Sequence, residues 1–159
     1  MAGKPIKRNE NIVPLSRDHH SGLLFCLKVK KGLQHKTEPA RVARYIHYYW
    51  ETYLKQHFTE EETILFNRLD SELCNTALAQ HSEIAALVTK IYNSANDDSP
   101  ACAALVTLID DHIRFEERIL FPFLESALPA ETLAEIGVQL KSAHTACPAE
   151  DYADEFWKI

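Results

Sequence analysis

The feature that most restricts how this chain can fold is an internal repeat of thirteen residues. HFTEEETILFNRL begins at His57 and HIRFEERILFPFL begins at His112, and seven of the thirteen positions are identical. Each copy has a His and a Glu four residues apart, which is His57 with Glu61 and His112 with Glu116. Residues at this spacing share one face of an α-helix, and the rest of that face is apolar in both copies. The repeat therefore predicts two amphipathic helices, each with a polar pair inside its apolar stripe.

A second pair of similar segments precedes these two. HSGLL begins at His20 and HSEIA begins at His81, and each His-Ser is followed by a branched apolar residue three positions after the His. The order along the chain is then His20 before His57, and His81 before His112. This order predicts that one pair of helices resembles the next pair, with matching side chains around a pseudo-two-fold axis. Such a duplication could build a symmetric site for two metal ions.

The chemistry of the paired side chains favours a metal site. A carboxylate in an apolar stripe is costly to bury unless it is paired or coordinated. A single His and Glu four apart is most simply a solvated ion pair on a helix surface. Two copies in the same apolar pattern, each with a matching single His, make that alternative the weaker one. Imidazole nitrogen with carboxylate oxygen suits iron, manganese or zinc, whereas calcium prefers oxygen ligands alone.

The apolar pattern outside the repeat predicts an all-α protein. Because the amphipathic segments are joined by short loops, we expect an antiparallel up-down-up-down four-helix bundle with a short C-terminal fifth helix. Ser16 is the expected N-cap of the first helix, whose apolar stripe would be Leu23, Leu24 and Leu27. The expected helices cover about residues 17–33, 38–67 and 70–94, a segment that opens at Ser99 and Pro100, and about 130–145. The expected organisation is an N-terminal arm at 1–15, the bundle at 16–128, and a C-terminal helix and tail at 129–159 that pack on the bundle.

Composition excludes several classes of function. The chain has 159 residues, which suits one domain, and neither GxGxxG nor GKS or GKT occurs. The net charge is −6 without a strong basic cluster, so we expect no nucleic-acid partner. We also expect no membrane span and no signal peptide, because no apolar run is long enough. The four cysteines are widely spaced without a CxxC pair, which indicates reduced thiols and a cytoplasmic location.

Taken together, these segments resemble the hemerythrin-like (HHE cation-binding) family over about residues 15–125. The motifs that carry the resemblance are DHHSGL at 18–23, HFTEE at 57–61, QHSEI at 80–84 and HIRFEERILFPFLE at 112–125. The resemblance implies an antiparallel four-helix bundle that holds a non-haem di-iron centre, with an oxo or hydroxo bridge, and manganese or zinc as other metals. The ligands that it implies are His20, His57, Glu61, His81, His112 and Glu116.

Some positions in this ligand set have alternatives. His19 competes with His20 for the first position. The repeat favours His20, because only His20 is directly followed by a serine, as His81 is. His19 would then be a neighbour that supports the site. Glu117 is an alternative to Glu116, since oxygen-carrying hemerythrins place one carboxylate five residues after its His. Tyr53, one turn before the repeat, is a further candidate ligand, although core packing is the simpler interpretation.

One position departs from the oxygen carriers, whose third helix has two ligand histidines four residues apart. The chain has Ala77 at the place of the first, so four histidines remain and both metals would be short of six ligands. The first hypothesis for function is a binding protein that takes up oxygen, nitric oxide or iron for sensing, storage or delivery. The second is a small di-iron oxidoreductase acting on peroxide, oxygen or nitric oxide, and a structural zinc site is a third. A small diatomic ligand is the expected partner, no protein partner is specified, and a homodimer remains open.

Overall fold

The computed structural model describes residues 7–94, 98–143 and 150–158, and all of the regular secondary structure in these ranges is helical. Several of the helical segments follow one another without a break, so that α2 and α3 form one long helix and α5 and α6 form another. The α-helices are α1 (Val13–Gln34), α2 (Pro39–Tyr49), α3 (Lys55–Glu60), α4 (Glu72–Asn93), α5 (Ser99–Phe115), α6 (Phe121–Ala127) and α7 (Ala130–Ala143). The expected all-α class is confirmed. Residues 144 and 145, at the end of the expected fifth helix, lie outside the described ranges.

Three turns of π-helix interrupt these long helices. They cover Trp50–Leu54, Glu61–Leu65 and Glu116–Leu120. Two of the three begin at the Glu of the thirteen-residue repeat and occupy the same five positions in both copies. A π turn adds a residue to a helical turn, and such turns occur frequently at functional sites. The π turn is therefore part of what was duplicated, and the sequence pattern gave no sign of it.

The helix starts differ in how their first amide groups are capped. The Ser71 side chain accepts a hydrogen bond from the Leu73 amide, and Asp98 accepts one from Ala101. The first helix, however, begins at Val13, three residues before the expected N-cap Ser16. Ser16 lies inside this helix, and its hydroxyl donates a hydrogen bond of 2.6 Å to Glu117. The expected cap is thus wrong, because Ser16 is used in a tertiary contact.

The helices that carry the repeat are held together as a bundle. Helix α1 contacts α5 and α2, and α4 contacts the same two helices. Helices α1 and α5 run in opposite directions, because Gly22 packs near Ile113 whereas Cys26, further along α1, reaches the Val106 carbonyl. A Cβ atom on Gly22 would lie 2.9 Å from the Ile113 side chain, so glycine permits the two helices to approach closely there.

The side of α1 that faces the core differs from the expected one. Leu23, Leu24 and Leu27 are 40%, 48% and 47% exposed. The buried residues of this helix lie one position away along the chain, and they are Leu15, His19, Gly22, Phe25, Cys26, Val29 and Gly32. The expected stripe is therefore wrong: α1 is rotated by one residue about its axis relative to the sequence prediction. The helix is apolar on both of these faces, so its own pattern could not select the inner one.

The C-terminal segment contacts the bundle at the end away from Glu61 and Glu116. Phe156 packs against Gly32 and Val42, and Asp154 accepts hydrogen bonds of 2.9 and 2.5 Å from Arg41. Cys26, Cys74 and Cys102 are buried. Cys147 and His144 lie outside the described residues.

No described helix combines the length and the apolar character that a membrane crossing requires.

Candidate metal centre

Six side chains that can bind a metal ion converge inside the bundle. They come from four continuous helical segments, which are α1, α2 with α3, α4, and α5 with α6. All six side chains are buried. The histidines His19, His57, His81 and His112 are 4%, 6%, 4% and 1% exposed, and Glu61 and Glu116 are both 0% exposed. Burial of two carboxylates at one place is costly unless opposite charges or a cation compensate them.

Glu61 connects histidines from both halves of the repeat. Its Oε2 atom lies 3.3 Å from His57 Nε2, and its Oε1 atom lies 3.1 Å from His81 Nε2. The two oxygens of one carboxylate therefore face imidazoles that belong to different repeat units.

Glu116 makes the matching connection. Its Oε1 atom lies 3.1 Å from His112 Nε2 and 3.0 Å from His19 Nε2, and His19 Nε2 is also 3.7 Å from Glu61. Two overlapping groups result, and in each group the donor atoms lie within 4.8 Å of one another. One group is His19, His57, Glu61 and Glu116, and the other is Glu61, His81, His112 and Glu116.

Several of the converging atoms have no hydrogen-bond partner. They are Nε2 of His19, His57 and His112, Oε2 of Glu61, and both carboxylate oxygens of Glu116. An unpartnered polar atom in the interior costs about 1–3 kcal/mol. Six such atoms directed at one point would be a large cost, and one or two cations at that point would satisfy them. The donor set therefore fits a metal ion.

The other ring nitrogen of each histidine has a partner that fixes the orientation of the ring. His57 Nδ1 is 2.9 Å from Asp18 Oδ2, and His112 Nδ1 is 2.6 Å from Gln80 Oε1. When Nδ1 donates its proton to such an oxygen, Nε2 keeps its lone pair for a metal ion. Asp18 directly precedes His19 and Gln80 directly precedes His81, so these two partners are related by the repeat.

The remaining two histidines have carboxylate partners. His19 Nδ1 is 3.0 Å from Glu117 Oε2, and His81 Nδ1 is 2.8 Å from Glu62 Oε2. Glu117 and Glu62 directly follow the two buried carboxylates of the repeat. The sequence had raised Glu117 as an alternative to Glu116, and the structure gives the two residues different positions. Glu116 points to the centre, and Glu117 supports His19 from outside.

The first histidine along the chain that the structure brings into the cluster is His19. The sequence repeat favoured His20, but the structure places His20 on the exposed side of α1 and brings His19 into the cluster. The sequence comparison aligned His20 with His81, because a serine follows each of them, whereas the structure brings His19 and His81 into the cluster. The register that the structure uses pairs Asp18-His19 with Gln80-His81, and only this register places a polar partner before each His. Tyr53, the further candidate, is half-buried beside the rings of Tyr48 and Tyr49 and packs against the apolar core.

Aromatic rings enclose the cluster. Phe58 stacks on His81 with ring centres 3.8 Å apart, and Phe121 stacks on His19 at 5.5 Å. Phe66 occupies the position in the first repeat unit that Phe121 has in the second, and it lies 5.9 Å from His81. Rings at these positions limit the access of water and strengthen electrostatic interactions inside the cluster.

The close approach of acids and bases shifts their protonation. Burial alone lowers the pKa of His57, but the charge of Glu61 and the hydrogen bond with Asp18 outweigh it and raise the pKa to about 10. Burial raises the pKa of Glu61, and the opposing charge of His57 and hydrogen bonds with histidines bring it well below its usual range. The pKa values of His19 and His81 are also raised, against the effect of burial, by hydrogen bonds with glutamates. Protons on these imidazoles compensate the buried carboxylates when no metal ion does, so a metal ion must displace them.

A protein-family model agrees with this geometry, although no individual protein matches. No curated protein and no solved structure matches the chain. The family model described as hemerythrin HHE cation binding domain matches residues 12–124, which include all six converging side chains and their Nδ1 partners. The match covers more than half of the chain, and the protein belongs to the hemerythrin HHE cation-binding domain family.

Proposed function

We propose that this protein binds two iron ions in the centre of the bundle. The observation that carries the proposal is the convergence of six buried donors in two overlapping groups that share Glu61 and Glu116. One ion would be held by His19 and His57, and the other by His81 and His112. Both carboxylates would serve both ions. Mixed imidazole and carboxylate donors suit iron, and manganese or zinc are the competing metals.

The proposal includes the topology that the sequence predicted. The four helices that supply donors would connect in up-down-up-down order. Support comes from the opposite directions of α1 and α5, and from the contacts that α1 and α4 each make with α2 and α5. Donors from all four helices can then meet at one level of the bundle.

The donor count leaves room for a small ligand. Two histidines and two carboxylate oxygens supply four ligands to each ion, fewer than the six of an octahedral site. Ala77, one turn before His81, is fully buried in the apolar core, and Leu15 has the same place before His19. Neither position supplies a further donor. Ferrous ions with open positions bind oxygen or nitric oxide, so we propose a role in sensing, storage or delivery of such a ligand or of iron.

The protein's own residues would orient the site and keep water out of it. Asp18, Gln80, Glu62 and Glu117 each hold one imidazole by its Nδ1 atom, which directs Nε2 to the centre. Phe58 and Phe121 cover the imidazoles of His81 and His19. A protected site favours reversible binding, whereas a site open to water and reductant would favour turnover.

Anaerobic loading with ferrous iron followed by exposure to air tests the proposal. We expect two iron ions per chain and a stable charge-transfer band that disappears when oxygen is removed. Irreversible oxidation that continues with an added reductant would instead favour the alternative function, a small di-iron oxidoreductase that acts on oxygen, peroxide or nitric oxide. Redox-silent zinc in protein purified without added metal, or fewer than two ions after loading, would reject the di-iron proposal. The His20→Ala variant is the matched control, because His20 is exposed beside His19.

A further inference from the structure

The two halves of the centre differ at one pair of related positions. His57 Nδ1 is 2.9 Å from a carboxylate oxygen of Asp18, whereas His112 Nδ1 is 2.6 Å from the amide oxygen of Gln80. The side chain of Asp18 is 11% exposed, and those of His57 and His112 are 7% and 2% exposed. Solvent therefore screens the Asp18 charge only weakly, and one imidazole has a negatively charged partner where its counterpart has a neutral one.

A charged partner makes an imidazole a better metal ligand than a neutral partner does. A carboxylate that accepts the Nδ1 proton draws that proton away and raises the electron density at Nε2. An amide oxygen fixes the ring orientation equally well but has less effect on the electron density. Replacement of such outer partners changes metal affinity by about 10–100-fold.

The Nδ1 partners of His19 and His81 differ in burial and in the number of hydrogen bonds that anchor them. Glu117 and Glu62 are both carboxylates, so their charges match. The Glu117 carboxylate accepts a hydrogen bond of 2.6 Å from Ser16, and its carbonyl accepts one of 2.6 Å from Arg8. The side chain of Glu117 is 28% exposed, against 42% for Glu62. The partner of His19 is thus more buried and better anchored than the partner of His81.

Both differences favour the same half of the centre. We propose that the two metal positions are inequivalent: the His19–His57 position binds its ion first and more tightly, and the His81–His112 position is the one that exchanges its ion. This inference rests on the proposed function, because it requires two ions. Asp18 and Gln80 act as positioning residues, through His57 and His112. An ion that leaves from one position only could be delivered without emptying the centre.

Stepwise binding of cobalt(II) to the full chain, followed by its absorption and by competition with a chelator, tests the inference. We expect two steps in the wild-type protein that are separated by about tenfold or more. Asp18→Asn, which keeps the shape and removes the charge, should weaken the tighter step by about 10–100-fold and leave the weaker step nearly unchanged. Gln80→Glu should strengthen the weaker step, and the double variant should bring the two steps together or reverse their order.

Two further variants assign the steps to positions. His112→Ala removes a donor of the second position and should keep one ion at the tighter affinity. His57→Ala should keep one ion at the weaker affinity. The helical content and the melting temperature of each metal-free variant show whether a change in affinity comes from lost folding. Gln80→Glu predicts a gain, so it stays informative even if Asp18→Asn folds poorly.

Specific outcomes would overturn the inference. Two ions with equal affinities in the wild-type protein would remove the inequivalence and leave the proposed function intact. The same would follow if Asp18→Asn weakened both steps alike, or if Gln80→Glu left the weaker step unchanged. Binding of fewer than two ions would reject the proposed function and the inference together. An ion retained more tightly by His57→Ala than by His112→Ala would reverse the assignment.

Discussion

Two pairs of helical segments form the centre, and only one pair is closely similar in sequence. Matching side chains nevertheless take the same geometry in both pairs. The segments that begin at His57 and His112 share seven of thirteen residues, and both enter a π turn at the Glu four positions later. The helices that carry His19 and His81 have little sequence in common, yet both place the His Nε2 beside a buried carboxylate. The repeated feature in these helices is a polar residue directly followed by the His.

This contrast shows which features the geometry requires. Glu61 and Glu62 are the first two residues of the π turn, and Glu61 points to the centre while Glu62 reaches the outer nitrogen of His81. Glu116 and Glu117 divide these two tasks in the same way. The adjacent glutamates in both copies therefore have different roles, and changes at either copy can test how closely the halves correspond.

The largest expected effect follows from removing a shared carboxylate. Glu61→Ala and Glu116→Ala should each reduce metal binding from two ions to nearly none, because each carboxylate faces histidines of both halves. The stabilisation that excess metal gives the wild-type protein, about 2.7 kcal/mol at a hundredfold excess over Kd, should also disappear. Metal analysis measures the number of bound ions, and thermal unfolding with and without metal measures the stabilisation. Glu83→Ala, on the exposed side of α4, is the control, and two ions retained by either variant would contradict the shared role.

A smaller loss is expected from a single histidine of α1. His19→Ala should lower the metal content by about one ion, because the His81–His112 position keeps its own imidazoles. His20→Ala should keep both ions, since its side chain is exposed. Metal analysis of the two variants side by side tests which of the two adjacent histidines binds metal. Loss of metal from His20→Ala alone would restore the register that the sequence favoured.

Arg8 provides a test of the unequal anchoring of the halves. Its side chain is 7% exposed, pairs with Glu125 and donates to the Glu117 carbonyl at 2.6 Å. Arg8→Ala should lower the free energy of unfolding by about 1–3 kcal/mol, because buried partners lose their donor. Chemical denaturation of the metal-free protein measures the effect. Arg114→Ala removes a 55% exposed arginine paired with Asp110 and should cost less than about 1 kcal/mol. Equal costs for the two variants would show that the Arg8 contacts do not stabilise the fold.

The protonation of the buried imidazoles predicts a dependence of stability on pH that metal should change. The pKa of His57 in the folded, metal-free protein is about 10, above the 6.5 of an unperturbed imidazole. The folded state therefore holds more protons than the unfolded state between these values, and stability should fall as pH rises from about 6.5 to about 10. The pKa of Glu61 is lowered, so stability should also fall as pH drops through the range where the unfolded carboxyl becomes protonated.

Metal should remove the alkaline part of this profile. Binding of metal ions releases the protons of the imidazoles, and so the metal-loaded protein should gain stability relative to the metal-free protein as pH rises. Thermal unfolding of both forms between pH 5 and 10 compares them, with a buffer of low metal affinity. A metal-free protein whose stability is unchanged or increases above pH 7 would show that the buried imidazoles are neutral.

Much of this fold could be predicted because its signals are local. The apolar periodicity of each helix belongs to a single stretch of chain, and the all-α class follows from it. The pairs His57–Glu61 and His112–Glu116 could be recognised in the same way, since four residues make about one helical turn. The π turns could not be recognised, because the residues around them are compatible with an ordinary α-helix.

The choice between His19 and His20 required information from outside α1. The helix is apolar on two faces, and the longer leucine stripe is the exposed one. The similarity between the segments at His20 and His81 then supported the wrong register. Contacts with other helices show the rotation of α1: Gly22 packs against the Ile113 side chain, and Ser16 and His19 contact Glu117.

The sequence by itself determined the helical class, the duplicated His and Glu pairs and the family to which the chain belongs. These properties depend on spacing within one helix, which the backbone geometry fixes. The tertiary structure decided which face of α1 turns inward and which residue holds the outer nitrogen of each imidazole, including the unlike partners Asp18 and Gln80. Those properties depend on contacts between helices far apart in the chain, and packing rather than local preference selects among the orientations that each helix could adopt.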